Sequence, residues 1–189
     1  MFQWLAKDQW QVKLSNCKFA QREIAYLGHV LSERGLLTDP AKIQAISSWP
    51  VLGNVKALRG FLGLAGYYLK FIRHFSLIAK PLTDLLCKDN LFIWTSLQQY
   101  AFDALKAALC AAPVLGLPDF SQPFHIETDA SGTGVGAVLL QNGHPLAFIS
   151  KTLGPRNLGL SAYEKEYLAI LLAVEQWRHY LLQSKFVST

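Results

Sequence analysis

Polar and apolar positions change their rhythm several times along this chain of 189 residues. Between residues 10 and 31 they alternate in short pieces. Val12–Leu14, Cys17–Ala20 and Ile24–Ser32 read as strands, with Ser32–Gly35 as the turn that ends them. A helical rhythm then takes over. Asp39 can cap a helix that has Pro40 at its first position, and this helix runs through Ser48, before Trp49-Pro50. Asn54 caps a long second helix over 55–75, the stretch 81–89 after Pro81 reads as a short helical segment, and Thr95 caps a third clear helix over 96–110.

The stretch AAPVLGLPDFSQP, 111–123, is rich in Pro and Gly and is the best candidate boundary. Beyond it Pro123–Thr128, Val135–Gln141 and Pro145–Lys151 read as strands, the last two joined by the hairpin signal Asn142-Gly143. A loop over 152–160 leads to Ser161 and a helix to about Leu182. KFVST, 185–189, reads as the opening of a further strand. The pattern predicts an α+β fold: a short β-hairpin, a helical region, then an α/β domain.

Composition narrows the class. At 51% hydrophobic and 16% charged residues the chain is globular. Residues 1–112 carry thirteen basic and seven acidic side chains, against five and six in 113–189. A basic first part suits a polyanionic partner, although a merely solvated basic surface fits equally well. Cys17, Cys87 and Cys110 show neither a disulfide framework nor zinc spacing, so buried thiols in a reducing, intracellular setting are expected. No apolar run approaches the length of a membrane span, and the first ten residues lack the apolar core of a signal peptide.

On a helix over 55–75, Leu58, Phe61, Leu62, Leu64, Ala65, Tyr68, Leu69, Ile72 and Phe75 gather on one broad side. Lys56, Arg59, Lys70 and Arg73 fall on the other, with Gly63 and Gly66 in the same stripe. Each interior glycine costs about 1 kcal/mol relative to alanine. Two on one face call for a reason: either close approach to nucleic acid between phosphate-binding cations, or a tight contact with another helix.

Two carboxylates raise a second question. Glu127 and Asp129 stand at the end of an otherwise apolar strand, where an unpaired carboxylate is costly unless it is solvated, bonded or bound to a cation. Ser161 and Glu164 fit a capping box. Glu166 lies elsewhere on that helix, in line with Ala169, Ile170, Ala173 and Trp177, so it sits on the packing stripe. Asp129 and Glu166 can be read as a divalent-metal pair or as solvated rim carboxylates.

TDASGTGVGAVL at 128–139, PLAFISKTL after it and YEKEYLAILLAVEQWRHYL at 163–181 resemble the RNase H domain of gypsy-type LTR retrotransposon polyproteins. FAQREIAYLGHVLSERGLLTDPAKIQAISSWP resembles the primer-grip hairpin and thumb start of the reverse transcriptase that precedes it. NVKALRGFLGLAGYYLKFIRHFSLIAKPLTDLL and FIWTSLQQYAFDALKAALCAAPVLGLPDF are similar to its thumb and connection. The resemblance implies three parts: the end of a palm at 1–38, a thumb and connection at 39–112, and a truncated RNase H-like domain at 113–189 with three antiparallel strands, a helix and the start of a fourth strand.

It also implies roles. Asp129 matches a metal-binding aspartate and Glu166 the catalytic glutamate of a Mg²⁺ or Mn²⁺ site that cleaves RNA in RNA–DNA hybrids. Leu27-Gly28-His29 matches the primer grip. Lys56, Arg59, Gly63, Gly66, Lys70 and Arg73 lie where the family's thumb meets the primer–template duplex, while Leu69 replaces a basic residue common there. Glu127 has no assigned role. The polymerase aspartates of a Tyr-x-Asp-Asp turn are expected upstream of this chain, and a further metal aspartate just beyond Thr189. The metal site is thus expected to be incomplete, with a second chain or the rest of the polyprotein supplying the remainder. The chain then acts as a fragment with an incomplete site, as a non-catalytic nucleic-acid-binding module, or as an inactive relic.

Overall fold

The computed structural model describes residues 7, 9–13, 17–88, 90–182 and 186–188. The first sheet is an antiparallel meander of β1 (Glu23–Tyr26), β2 (His29–Ser32) and β3 (Gly35–Thr38). The expected strand 24–32 is broken by a two-residue turn, because Leu27 and Gly28 both take positive φ, 47° and 71°. At the second turn the Ser32 hydroxyl accepts from Arg34 N and donates to Gly35 O, and the chain resumes as a third strand that the hydropathy pattern did not suggest. Residues 17–20 form no strand: Ala20 has φ 50° and Phe19 is exposed. Of the expected strand 12–14, Leu14 lies outside the described residues and the other two are irregular.

The helical region begins as its caps dictate. Asp39 accepts from Ala41 N to start α1 (Pro40–Ser47), and Asn54 accepts from Ala57 N to start α2 (Val55–Tyr67). The single helix expected over 55–75 ends at Tyr68. A 3-10 turn follows at Leu69–Phe71, His74 adopts φ 58°, and α3 (Phe75–Asp84) leaves in a new direction. Breaking the helix lets Tyr68, Phe71 and Ile72 all reach the core, where none is more than 3% exposed. Pro81 lies inside α3 and does not open a new segment, and Asp89 of that expected segment lies outside the described residues. The lost hydrogen bond is tolerated because α3 packs along α4 (Ser96–Cys110), which Thr95 and Gln98 cap as a box. Phe61 of α2 and Phe102 of α4 meet at a ring separation of 4.7 Å in this core. Fully burying each such side chain contributes roughly 1.5–3 kcal/mol.

The second sheet has the order β6-β5-β4-β7, from β4 (Phe124–Ala130), β5 (Gly134–Gln141), β6 (His144–Thr152) and β7 (Phe186–Ser188). β4, β5 and β6 are antiparallel, and β7 runs parallel to β4; Lys185 and Thr189 of the expected KFVST strand lie outside the described residues. Asn142 and Gly143, at φ 51° and 76°, close the β5–β6 hairpin as expected. The 153–160 loop holds a short helix, α5 (Pro155–Leu158). The last helix divides at Trp177 into α6 (Ala162–Gln176) and α7 (Arg178–Leu181).

Alternation assigns the two faces of this sheet. Ile126, Leu139 and Ala137 pack with Ala173, Trp177 and Leu181, so α6 and α7 cover one face. The row Asp129–Gly136–Ser150 and the row Glu127–Val138–Phe148 point the other way, toward the helical region. There Phe148 joins the helical core, Ser76 N donates to Ser150 Oγ and Ser76 Oγ donates to Ser150 O at 2.6 Å. Cys87 and Cys110 are exposed and Cys17 half-buried, against the expectation of buried thiols, because each falls where an element ends or on irregular chain. Among the described residues no helix is long and apolar enough to cross a membrane.

The meander is joined to the rest through the 111–123 linker. Leu36 and Leu115 exchange two backbone hydrogen bonds of 2.8 and 2.9 Å, and Gly116 N donates to Pro145 O. Gly35 has φ 130°, and a Cβ there would stand 2.1 Å from Leu115 O. Gly35→Ala is expected to cost roughly 2–4 kcal/mol, read as a lower urea midpoint with an unchanged slope.

His29 adds a pH dependence. Its pKa is lowered by burial and, secondarily, by Lys70. The unfolded chain takes up this proton first, so the His29 contribution is full above the ordinary value near 6.5 and is lost as pH falls below it, toward the lower folded value. A urea midpoint that drops between about pH 7.5 and about pH 5.5, and drops less in His29→Gln, is the expected result.

Candidate nucleic-acid interface

Helix α2 buries one side completely: Leu58, Phe61 and Ala65 are inaccessible to solvent. Its opposite side carries Lys56 and Arg59, both exposed, followed by Gly63 and Gly66. A Cβ placed on either of these glycines would meet nothing within 4 Å. The reading of these glycines as a tight helix–helix contact therefore finds no partner helix among the described residues. What remains is an open strip where backbone is accessible between cations.

The helix is shorter than the sequence implies: α2 ends at Tyr67, and Lys70 and Arg73 lie beyond it. Lys70 sits in the 3-10 turn, half-buried, with Nζ 5.5 Å from the centroid of the Phe71 ring, and burial lowers its pKa. Leu69, expected on the apolar side, is 42% exposed in that turn. Arg73 is exposed and belongs to a different feature, described below.

Gly28 and His29 meet α2 at its C-terminal end. The Tyr67 hydroxyl donates to Leu27 O, and the Tyr68 hydroxyl donates to Gly28 O at 2.7 Å. Burial, then Asp39 and Tyr67, raise the pKa of Tyr68, so this hydroxyl stays a donor. His29 stacks on Tyr67 with ring centroids 5.0 Å apart and planes 14° apart, and it contacts Tyr68 and Phe71 edgewise or tilted. Tyr67 and Tyr68 were not among the site residues expected from sequence. Two tyrosines in a row at a helix end are a visible signal, but nothing in the sequence pairs them with residues 40 positions earlier.

Asp129 and Glu166 stand on different elements, β4 and α6, and both are exposed. The Asp129 side chain faces the helical region, where its Oδ2 lies 3.7 Å from His74 Nε2. Arg73, His74, Glu127 and Asp129 line one small cavity of about 10 Å³. Glu166 stands on α6, which covers the opposite face of the sheet, and it is exposed at the head of the Ala169–Ala173–Trp177 stripe. Glu164 closes the capping box with Ser161, which lowers its pKa.

Asp129 and Glu166 offer carboxylate oxygens of the kind that the Mg²⁺ or Mn²⁺ implied by the resemblance takes. Magnesium ions keep several waters and near-ideal octahedral oxygen coordination. The cavity of about 10 Å³ beside Asp129, lined by Arg73 and His74, is at the limit for one water, while more than half of the Asp129 side chain is open to solvent. Among the described residues no three His, Cys, Asp or Glu side chains are grouped to hold a metal.

Residues 94–188 match the family of RNase H-like domains found in reverse transcriptase. The retrovirus-related Pol polyprotein from transposon 297 of Drosophila melanogaster is 45% identical over 189 residues, covering 99% of this chain. The chain spans only 18% of that relative's length. A foamy viral protease-reverse transcriptase dRH in complex with double-stranded DNA superposes with a TM-score of 0.88 at 22% identity, over 99% of this chain and 34% of that one. A foamy viral protease-reverse transcriptase in complex with RNA/DNA hybrid gives 0.84 at 23%, over 94% and 25%. At such identities the likeness is one of fold. The chain belongs to the family of RNase H-like domains found in reverse transcriptase, and its sequence is that of a segment of a retrotransposon Pol polyprotein.

Proposed function

We propose that this segment holds a nucleic-acid duplex, as part of a Pol polyprotein, and does so without cleaving it through the Asp129 pocket. The observation that carries this reading is the open side of α2. Lys56 and Arg59 are exposed there, and Gly63 and Gly66 leave backbone accessible with nothing above them. Cations of this kind neutralise phosphates and position a duplex without reading its sequence. Glycines let the sugar–phosphate edge approach more closely than any side chain would permit. The two foamy viral structures of the same fold were obtained in complex with double-stranded DNA and with RNA/DNA hybrid, which supports a duplex as the occupant.

Binding is therefore expected to be salt-sensitive and indifferent to sequence. Anisotropy titrations of a labelled RNA–DNA hybrid should show Lys56→Ala plus Arg59→Ala losing roughly tenfold in affinity, with the salt slope of log K reduced by about two. An unchanged slope in that variant refutes the reading.

Asp129→Asn should leave hybrid affinity untouched. In the same preparations, added Mg²⁺ or Mn²⁺ should give the wild-type chain no rise in melting temperature that the Asp129→Asn chain lacks. A metal-dependent rise confined to the wild type, accompanied by hybrid cleavage, would restore the catalytic assignment of Asp129.

A further inference from the structure

We propose that Tyr67 and Tyr68 are positioning residues for duplex binding: their hydroxyls hold the Leu27–Gly28 turn at the end of the open strip of α2, so that turn and helix meet the duplex as one preformed surface. This rests on the duplex reading above and adds to it the device that shapes the surface.

The turn itself shows why a holding device is needed. A two-residue hairpin loop with both φ values positive takes Asn, Asp or Gly at its first position, because only these tolerate the left-handed region cheaply. Here that position is Leu27, at φ 47°. Its side chain gains little from packing, since the residue is 69% exposed. Local energetics alone would put Asn there. The conformation is maintained from outside the hairpin, by Tyr67 donating to Leu27 O and Tyr68 donating to Gly28 O. Gly28 fits directly beneath the tyrosines: a Cβ on it would lie 3.4 Å from the Tyr67 ring and 3.5 Å from the Tyr68 hydroxyl.

Position along α2 gives the device its use. Tyr67 follows Gly63 by four residues and Arg59 by eight, so it lies on the same side of the helix as the open strip. The strip thus runs from Lys56 through the two glycines to Tyr67 and onto an exposed leucine. A strained apolar tip at the end of a cationic strip suits the sugar edges of a duplex whose phosphates the cations hold. Preforming that tip removes an ordering cost that binding would otherwise bear.

The test uses the full 189-residue chain and a labelled RNA–DNA hybrid. Three variants are compared with the unaltered protein: Tyr67→Phe plus Tyr68→Phe, Tyr67→Phe alone, and Leu27→Asn. The double variant is expected to lose roughly five- to tenfold in hybrid affinity with the salt slope unchanged, since no phosphate contact is removed. Amide exchange across residues 26–29 should speed up in the free protein. Tyr67→Phe alters an exposed ring that does not fill the core, and should show the same changes in smaller measure. Leu27→Asn separates positioning from mere stability: melting temperature should rise while affinity falls severalfold. If the unaltered chain binds but the double variant binds equally well with unchanged exchange, the positioning role is wrong. If Leu27→Asn binds as well as the unaltered chain, the tip is only a turn, and the inference fails in the same way. If the unaltered chain shows no salt-dependent binding, the duplex reading itself falls, and the inference with it.

Discussion

The two backbone bonds between Leu36 and Leu115 are the constraint on which the arrangement of the whole chain rests. They join a strand of the first sheet to the linker that follows α4, across 79 residues. Leu115 is fully buried in the helical core, and the next residue, Gly116, bonds to β6 of the second sheet. One short segment thereby fixes the meander, the helices and the second sheet relative to one another. Gly35 is required because the approach leaves no room for a Cβ against the Leu115 carbonyl. The same linker that reads as a boundary in the sequence is, in three dimensions, where the parts are tied together.

This tying has a consequence for the carboxylates. The face of the second sheet not covered by α6 is covered by the 3-10 turn and α3, through Phe148, Ser150 and the row that ends in Asp129. A strand-end carboxylate that is costly when unpaired finds His74 at 3.7 Å, with Arg73 lining the same cavity. So exposed a contact contributes at most about 1 kcal/mol. At the end of an apolar strand Asp129 thus has both solvent and a neighbouring imidazole beside it.

Local signals in the sequence translated well into local structure. Asp39, Asn54, Thr95 and Ser161 cap the helices they precede, and Asn142-Gly143 turns the hairpin it suggests. These are short-range hydrogen bonds and dihedral preferences, written into a few adjacent residues. What was not legible depends on contacts between distant residues. Helical periodicity runs unbroken through Tyr68, yet the chain bends there because Tyr68, Phe71 and Ile72 all find burial on different partners. Lys70 and Arg73, drawn on one continuous helix, therefore lie beyond the end of α2. Glu166 stands in line with Ala169 and Ala173, as helical spacing places it, whereas the face of the sheet that α6 covers is set by contacts between distant residues.

Leu27 shows the same conflict in miniature, and its resolution says where specificity in this region resides. Hairpin propensity favours a polar residue in the left-handed position, whereas the chain has an exposed leucine there, held by hydroxyl groups from a helix 40 residues away. A left-handed leucine costs about 1–2 kcal/mol, and two net hydrogen bonds of roughly 1 kcal/mol each offset it. The balance is close, so the turn keeps its shape only while the tyrosines are seated. Seating them requires that α2 stop at Tyr67 and that Tyr68 turn inward, which is the same break that places Lys70 in the following 3-10 turn. The end of the helix and the ordered turn are therefore two results of one packing decision, in which burial of Tyr68 and the seating of the turn depend on each other.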